Sequence, residues 1–385
     1  MEGDPHIFPD TLTTPIILDL AFPPGTAPFG ASGKRDWKVS VIAQGDEPRW
    51  IILGDTRKAL PVLASWWPFK LSSRAQWSGV LLASFLNLLS RLPGIGSETF
   101  TIDAWYWRES LPDFSEGWTA VFHVGNQSHT RKAILFFVGQ DGKVKAVAKV
   151  PLTAAAGSAI LNEAAILRDM ESVEGLPRVL FQDNDRGVAA QTWLEGKAVS
   201  RQFTPEHIRL LSSLANAGST VRVSDFRAEI AASLDALDLP FDRSSLIPAL
   251  DFLDYDQVLP AFVEHRDFAP WNLKRLPNGH LTLLDWEWAV EKSLPLQDIC
   301  RFFYIQDALF FGPGKVWETL TSNPLIQEYM RRFEIPPAAL PALTMYYLLR
   351  VLAMDSQNRN LTLTAYTLQQ IESLLDHRRG RVGQH

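Results

Sequence analysis

Between residues 119 and 193 the hydrophobic and polar positions form short runs and alternations that are typical of β-strands. Strands are predicted at 119–124, 133–138, 144–150, 178–181 and 187–193. Asp141-Gly142 is a hairpin turn signal between the second and third of these strands. Between the third and fourth strands, apolar residues recur at helical spacing over 159–170. The pattern therefore predicts three strands, a helix and two more strands.

From residue 204 onward the apolar spacing becomes mainly helical. Thr204 is a helix N-cap candidate, and Pro205 suits the first turn. Helices are predicted at 205–216, 225–237, 244–256, 296–311, 315–333 and 338–376. A strand-rich insert interrupts them at 273–285, where Asn278-Gly279 is the signal for a two-residue hairpin loop.

The first hundred residues follow a third pattern, rich in Pro and Gly up to about residue 45. A strand is predicted at 49–54. The apolar run at 77–92 is shorter than the roughly 20 residues that a bilayer span needs. We interpret it as a buried helix, with a peripheral membrane contact as the alternative.

The predicted division is into three parts: an accessory region at 1–100, a small strand-rich lobe at 101–193, and a mainly helical lobe at 194–385. On this division, removal of the first region should leave both lobes folded.

The length, net charge and cysteine content limit the classes of protein to which the chain can belong. The chain has 385 residues, enough for two or three domains, with a net charge of -6. No basic face is indicated, which argues against nucleic-acid binding. The single cysteine, Cys300, cannot form an internal disulfide and is interpreted as a buried packing residue. With no apolar core of a secretory signal near the N-terminus, we expect a cytoplasmic protein without a transmembrane segment.

The segment 265–287 carries the candidate chemistry. Its predicted hairpin brings Asn272 and Asp285 together at the open end. An amide oxygen and a carboxylate there would suit a hard cation such as Mg²⁺. Asp267 lies one tight loop earlier and could accept a proton from an incoming hydroxyl. Phosphoryl transfer needs such a set of metal ligands and a carboxylate.

Two motifs in this segment, His265-Arg266-Asp267 and Asp285-Trp286-Glu287, with Asn272 between them, resemble the signature of aminoglycoside phosphotransferases and choline kinases. The resemblance covers roughly residues 105–375 and implies an α+β, two-lobed protein-kinase-like fold. It implies that Asp267 is catalytic and that Asn272 and Asp285 are metal ligands. The chain as a whole looks like bacterial members that carry an extra N-terminal segment.

Other residues of the motifs have less defined roles. His265 and Arg266 accompany the catalytic Asp in the resemblance, although these families usually have Gly at the position of Arg266. The same Arg resembles that of the protein-kinase catalytic loop. Glu287 either assists the metal or is a polar turn residue. Asp298 matches a family Asp that supports the catalytic loop, which is compatible with an ordinary helix N-cap.

The resemblance also places a nucleotide site in the small lobe. The loop 125–131 would cover the phosphates, using Ser128 and backbone amides after Gly125. Lys149 would bind the phosphates and form an ion pair with Glu163. In the alternative, Lys149 is solvated at the end of its strand and Glu163 lies at the edge of the apolar face of its helix. The other two nucleotide-site residues are Gln191 and Trp193, at the predicted hinge between the lobes. Trp193 either packs on the base or belongs to the core.

Only twelve residues separate Asp285 from Asp298, which leaves little room for a peptide-docking segment. The resulting prediction is a kinase that uses ATP, or GTP, with Mg²⁺. Its acceptor would be a hydroxyl of a small molecule such as a sugar, aminosugar, amino alcohol or aminoglycoside. The alternatives are a catalytically silent nucleotide-binding scaffold and an enzyme that modifies a protein.

Overall fold

The computed structural model describes residues 12–23, 34–44, 46–65, 97–103, 105–108, 111, 118–237, 246–310, 312, 314, 316–357 and 360–382. The apolar run at 77–92, with its interpretations as a buried helix or membrane contact, lies outside these residues. The chain divides into two compact units. The first comprises Met1–Glu171 and Pro177–Leu194, and the second comprises Ser172–Leu176 and Glu195–His385.

An antiparallel sheet of eight strands forms the first unit, in the order β3-β1-β2-β4-β5-β6-β8-β7. The strands are β1 (Lys34–Gln44), β2 (Glu47–Leu53), β3 (Ser97–Asp103), β4 (Thr119–Val124), β5 (Lys132–Val138), β6 (Val144–Pro151), β7 (Val179–Asp183) and β8 (Val188–Thr192). The helices are α1 (Thr14–Ala21), α2 (Thr56–Ser65), α3 (Trp105–Arg108) and α4 (Ala154–Asp169). All five strands predicted between 119 and 193 are present.

The predicted boundary at residue 100 does not follow this sheet, because β2 pairs directly with β4. Strand alternation sends Ile51 of β2 and Phe122 of β4 into one core cluster, and Ile52 and Val121 into another. Both faces of β4 and β2 are therefore buried together. Removal of residues 1–100 would therefore take the paired strand β2 away from β4.

Helix α4 begins at Ala154, before the predicted start at residue 159. The Thr153 hydroxyl caps it by accepting a hydrogen bond from the Ala156 N–H at 3.2 Å. The first turn consists of small residues that show no apolar periodicity. The sequence pattern therefore did not predict this turn as part of the helix. Small size is required here, since a Cβ on Gly187, whose φ is +66°, would lie 2.7 Å from the Gly157 Cα.

Helices dominate the second unit, as predicted. They are α5 (Pro205–Ser212), α6 (Arg227–Asp235), α7 (Ile247–Leu250), α8 (Gln297–Leu309), α9 (Val316–Ser322), α10 (Pro324–Arg332), α11 (Leu340–Gln357) and α12 (Leu361–Val382). Short 3₁₀ turns lie at Val223–Phe226, Asp251–Asp254, Pro270–Asn272 and Pro337–Ala339. The long helix predicted at 315–333 is divided because Asn323 caps α10, accepting from the Leu325 N–H at 2.9 Å.

Among the described residues of the second unit, six short strands accompany these helices. They are β9 (Lys197–Ala198), β10 (Ala215–Val221), β11 (Leu259–Glu264), β12 (Leu273–Arg275), β13 (Leu281–Leu283) and β14 (Val290–Ser293). They form two three-stranded sheets, β10-β11-β14 and β13-β12-β9. The hairpin of β12 and β13 was predicted, whereas β9, β10, β11 and β14 were not. The predicted helix at 205–216 instead ends at Ser212, before β10.

Within the described part of the chain, one helix, Pro337–Gln357, is long and apolar enough to cross a membrane. However, 72% of its most apolar window is buried inside the protein. Burial of this kind is also typical of a core helix, so length and composition do not make it a membrane span.

Candidate active site

The hairpin of β12 and β13 places two predicted metal ligands at its open end. The pairing Leu273↔Leu283 is followed by a hydrogen bond from the Leu284 N–H to the Asn272 carbonyl at 2.8 Å. Asn272 thus lies beside the residue that precedes Asp285, as the sequence predicted.

The closed end of the hairpin differs from the prediction. The Leu276 N–H donates to the His280 carbonyl at 2.8 Å, and the Gly279 N–H donates back to Leu276 at 2.9 Å. The loop therefore has three residues instead of two, and it is Gly279 that takes positive φ, at 86°.

Two residues of the motifs adopt left-handed backbone conformations that L-residues rarely take. Arg266 has φ of 67° and Asp285 has φ of 68°. Such a conformation disfavours a residue with a Cβ by roughly 1–2 kcal/mol. A left-handed backbone at position 266 gives a physical reason for the Gly that the resembled families usually have there. Surrounding contacts must therefore hold both residues in place.

The Asp267 carboxylate is held from two sides. Its Oδ1 accepts hydrogen bonds from Arg301, at 2.7 Å from Nη2 and 3.2 Å from Nε. Its Oδ2 accepts from the Asn272 Nδ2 at 2.8 Å, and the same nitrogen donates to the Asp267 carbonyl at 2.9 Å. Because the amide nitrogen of Asn272 faces Asp267, its oxygen is the atom left for a cation. The Asp267 side chain remains 27% exposed and can meet a solute.

His265 lies beneath this carboxylate and is fully buried. Its Nε2 lies 3.0 Å from the Leu284 carbonyl, and its Nδ1 accepts the Asp267 N–H at 3.2 Å. A carbonyl can only accept, so this network assigns the proton to Nε2. The ring also contacts Trp286 edge-on at 4.8 Å. His265 was predicted among the catalytic residues, but this burial gives it the geometry of a positioning residue. Its ring joins the loop that carries Asp267 to the strand that leads to Asp285.

Asp298 anchors the same loop from the first turn of α8. Its carboxylate accepts the His265 N–H at 2.8 Å and the Arg266 N–H at 2.9 Å. Burial and the nearby Glu264 carboxylate raise the pKa of Asp298 to about 7, against the lowering effect of these two donors. The residue therefore makes the loop contacts implied by the sequence resemblance. Arg266, predicted beside the catalytic Asp, directs its Nε to within 3.8 Å of Glu264.

Three charged residues in this network, Glu264, Arg301 and Arg350, were missed by the sequence analysis. Glu264 is buried and bonded to Arg350, while Ser293 Oγ donates to its Oε2 at 2.6 Å. Burial alone would raise the pKa of Glu264, but Arg350 and its other donors lower it below the ordinary value. Arg301 lies three residues after Asp298 on α8, so the two share a helix face. That spacing was the available signal for Arg301.

In the first unit, Lys149 on β6 and Glu163 on α4 form an ion pair of 2.5 Å between Nζ and Oε2. Both side chains are almost entirely buried. This is the pair that the sequence predicted, and it rules out the alternative of a solvated strand end. A cavity beside it is lined by both residues and by Gln191.

The other predicted nucleotide-site residues occupy defined places in this unit. Ser128 is exposed on the loop between β4 and β5, which Gly125 begins. Gly125 approaches the opposite strand closely, since a Cβ there would lie 2.8 Å from the Lys132 carbonyl oxygen. Trp193 packs edge-on against Phe136 at 5.9 Å. Trp193 therefore contacts the core, one of its two predicted environments.

Among the described residues, no group of three or more His, Cys, Asp and Glu side chains is arranged to hold a metal ion. Mg²⁺ that is bound to phosphates keeps only one or two protein ligands, so the two predicted ligands would be enough for it. Asn272 and Asp285 supply an amide and a carboxylate of that kind. Glu287, two residues beyond Asp285, is partly buried.

No protein-family model matches the chain, and no curated protein matches it either. Among solved structures, the apo form of a thermostable mutant of aminoglycoside phosphotransferase APH(4)-Ia is 14% identical, with a TM-score of 0.50 over 67% of this chain and 95% of that one. Another mutant of this enzyme, in ternary complex with AMP-PNP and hygromycin B, is 13% identical, with a TM-score of 0.50 over 71% of this chain and 97% of that one. Choline kinase LicA from Streptococcus pneumoniae is 11% identical, with a TM-score of 0.42 over 69% and 91%. The two matches at 0.50 confirm the predicted fold: the chain has the α+β, kinase-like fold of an aminoglycoside phosphotransferase.

Proposed function

We propose that the protein is a phosphotransferase that transfers the terminal phosphoryl group of ATP to a hydroxyl of a small molecule. The observation that carries the proposal is the fixed carboxylate of Asp267, bonded through Oδ1 to Arg301 and through Oδ2 to Asn272. A carboxylate fixed in this way can orient an acceptor hydroxyl and take its proton.

Asn272 and Asp285 are proposed as the ligands of Mg²⁺. When bound, the cation supplies positive charge to the phosphate oxygens. Asn272 directs its amide nitrogen to Asp267, which leaves its oxygen for the cation. Asp285 directly follows Leu284, whose N–H donates to the Asn272 carbonyl at the open end of the hairpin. Glu287 is the further candidate ligand.

Lys149 is proposed to bind the phosphates of the nucleotide. Its ion pair with Glu163 fixes the position of the ammonium on β6. Gln191 and Trp193, at the end of β8, are proposed to lie near the base, and Gly125 and Ser128 near the phosphates. GTP is the alternative nucleotide. The proposed acceptor is a sugar, aminosugar, amino alcohol or aminoglycoside, and one neighbour of the same fold binds AMP-PNP and hygromycin B.

The test is a thermal-shift and nucleotide-hydrolysis screen with Mg·ATP and Mg·GTP, with and without a panel of these acceptors. A ligand that binds the native state raises its melting temperature. A Mg²⁺-dependent shift, together with hydrolysis that one acceptor stimulates, is the expected result. Asp285→Ala should lose the Mg²⁺ dependence of the shift. Absence of any shift with either nucleotide would overturn the proposal and favour a scaffold.

A further inference from the structure

The loop from Gly125 to Arg131, between β4 and β5, is exposed at its tip and held at both ends. Residues 126–129 are exposed, whereas Arg131 is buried. At the base, the Gly125 N–H donates to the Lys132 carbonyl at 2.9 Å, and the Leu152 N–H donates to the Arg131 carbonyl at 2.9 Å. This loop is the proposed phosphate-covering loop, so its shape matters for the function proposed above.

The Arg131 side chain turns back into the protein instead of towards the exposed tip. Its Nε donates to the Gly125 carbonyl at 3.0 Å, which ties the end of the loop to its beginning. Its two terminal nitrogens donate to the carboxylate of Glu47, Nη1 to Oε1 at 3.2 Å and Nη2 to Oε2 at 2.7 Å. One guanidinium therefore joins both ends of the loop to a single carboxylate.

That carboxylate belongs to β2, in the region that the sequence set apart as an accessory segment. Glu47 is the first residue of β2. The hydrogen bonds of Arg131 lower the pKa of Glu47, so the carboxylate stays ionised at neutral pH. Arg49, two residues further along β2, donates to the Val124 carbonyl at 2.6 Å. Strand β2 thus supports the end of β4 and the loop at two points.

A bidentate, charge-assisted pair fixes orientation as well as distance, because both N–H···O bonds are parallel. With its ends fixed, the loop presents the backbone N–H groups of its tip in one arrangement. Successive backbone N–H groups in a turn form a concave site for anions such as phosphates. Loss of the pair would let this arrangement spread over several conformations, and binding of phosphates would weaken.

We propose that Glu47 is a positioning residue for the nucleotide: it holds Arg131 and, through it, the loop 125–131 in the shape that binds a nucleoside triphosphate. The inference rests on the proposed phosphotransferase function. It gives the N-terminal strands a direct part in nucleotide binding.

The test compares the affinities of the purified full-length wild type, Glu47→Gln and Glu47→Asp for Mg·AMP-PNP and for adenosine by calorimetry. Glu47→Gln should weaken Mg·AMP-PNP binding about tenfold, the scale of one charge-assisted contact, and leave adenosine binding within about twofold. Glu47→Asp should fall between the two. Asp141→Asn is the matched control, because it breaks an exposed ion pair with Lys145 in the neighbouring hairpin of the same sheet.

Unchanged Mg·AMP-PNP affinity in folded Glu47→Gln would overturn the inference. So would an equal loss for adenosine and Mg·AMP-PNP, since that is the mark of a general structural role. If Glu47→Gln does not fold, Arg131→Lys takes its place, because it keeps the charge and loses the bidentate geometry. A wild type that binds neither Mg·AMP-PNP nor adenosine would instead overturn the proposed function itself.

Discussion

The two units fix their charged candidate residues in different ways. In the first unit a strand and the helix that follows it supply the ion pair Lys149–Glu163, whose partners are 14 residues apart in sequence. In the second unit Asp267 is bonded to Asn272, five residues away, and to Arg301, 34 residues away. Lys149 is thus fixed by a contact that is local in the sequence, whereas Asp267 is fixed by a network from several elements. We expect the pair to fail as a whole when one partner is removed, and the network to fail in steps.

The largest effect should follow removal of the carboxylate at the centre of the network. Asp267→Ala is expected to lower kcat by about 10²–10⁴-fold, because the acceptor hydroxyl loses the group that orients it and takes its proton. Nucleotide affinity should change little. Steady-state kinetics and calorimetry measure the two effects, with the exposed Asp251→Ala as control. Turnover near the wild-type rate would exclude Asp267 as the base.

The Lys149–Glu163 ion pair should fail as a whole when one partner is removed. Glu163→Leu removes the carboxylate 2.5 Å from the buried Lys149 ammonium, and we expect the free energy of unfolding to fall by about 3–5 kcal/mol. The double variant Lys149→Met with Glu163→Leu should recover most of that stability, since neither charge is then buried. It should not recover triphosphate affinity. Denaturant unfolding with calorimetry separates these outcomes, and a double variant that binds Mg·AMP-PNP normally would contradict the role of Lys149.

The network should respond in steps to changes at Arg301. Arg301→Met should lower kcat by up to about 100-fold through misplacement of the Asp267 carboxylate. Arg301→Lys, which keeps one charged donor, should recover part of the loss. The KM for nucleotide should stay the same in both variants. An equal kcat in all three proteins would show that Asn272 alone positions the carboxylate.

The smallest expected effect is the pH dependence of stability that comes from His123 in the first unit. Burial, followed by the nearby Arg49 charge, lowers the pKa of His123 to about 3. His123 is therefore neutral when folded, and its unfolded form takes up a proton below about pH 6.5. Stability from this group is present above pH 6.5 and is lost as the pH falls towards 3. Between pH 7 and 5 the loss should be about 2 kcal/mol.

The variant His123→Phe keeps an aromatic ring beside Trp50, which His123 contacts at 4.6 Å. Its unfolding free energy should fall less between pH 7 and pH 5 than that of the wild type. His129→Gln, at an exposed site on the loop, serves as control. Parallel pH profiles for the wild type and His123→Phe would mean that His123 is not the titrating group.

Local signals let the sequence predict much of the fold and part of the site. The strands between 119 and 193 show alternation, and the Asn278-Gly279 turn marks the hairpin. The Lys149–Glu163 pair was predictable because a strand and the helix that follows it bring their partners together. In each case the interacting residues are close together in the chain, so a local pattern of residue types is enough to predict the contact.

Contacts between distant segments were decided only by the tertiary structure. Arg301 on α8 bonds to Asp267, and Arg350 on α11 bonds to Glu264. Apart from the spacing of Arg301 from Asp298, no local pattern pairs these residues. Strand β2 pairs with β4 through Leu53 and Ala120, which are 67 positions apart in the sequence, and Glu47 bonds to Arg131, 84 positions away. The sequence of one strand, or the presence of one Arg, does not identify a partner that is distant in the chain. The sequence determined the elements and the motif, whereas long-range pairing determined that the N-terminal strands share the sheet and support the loop.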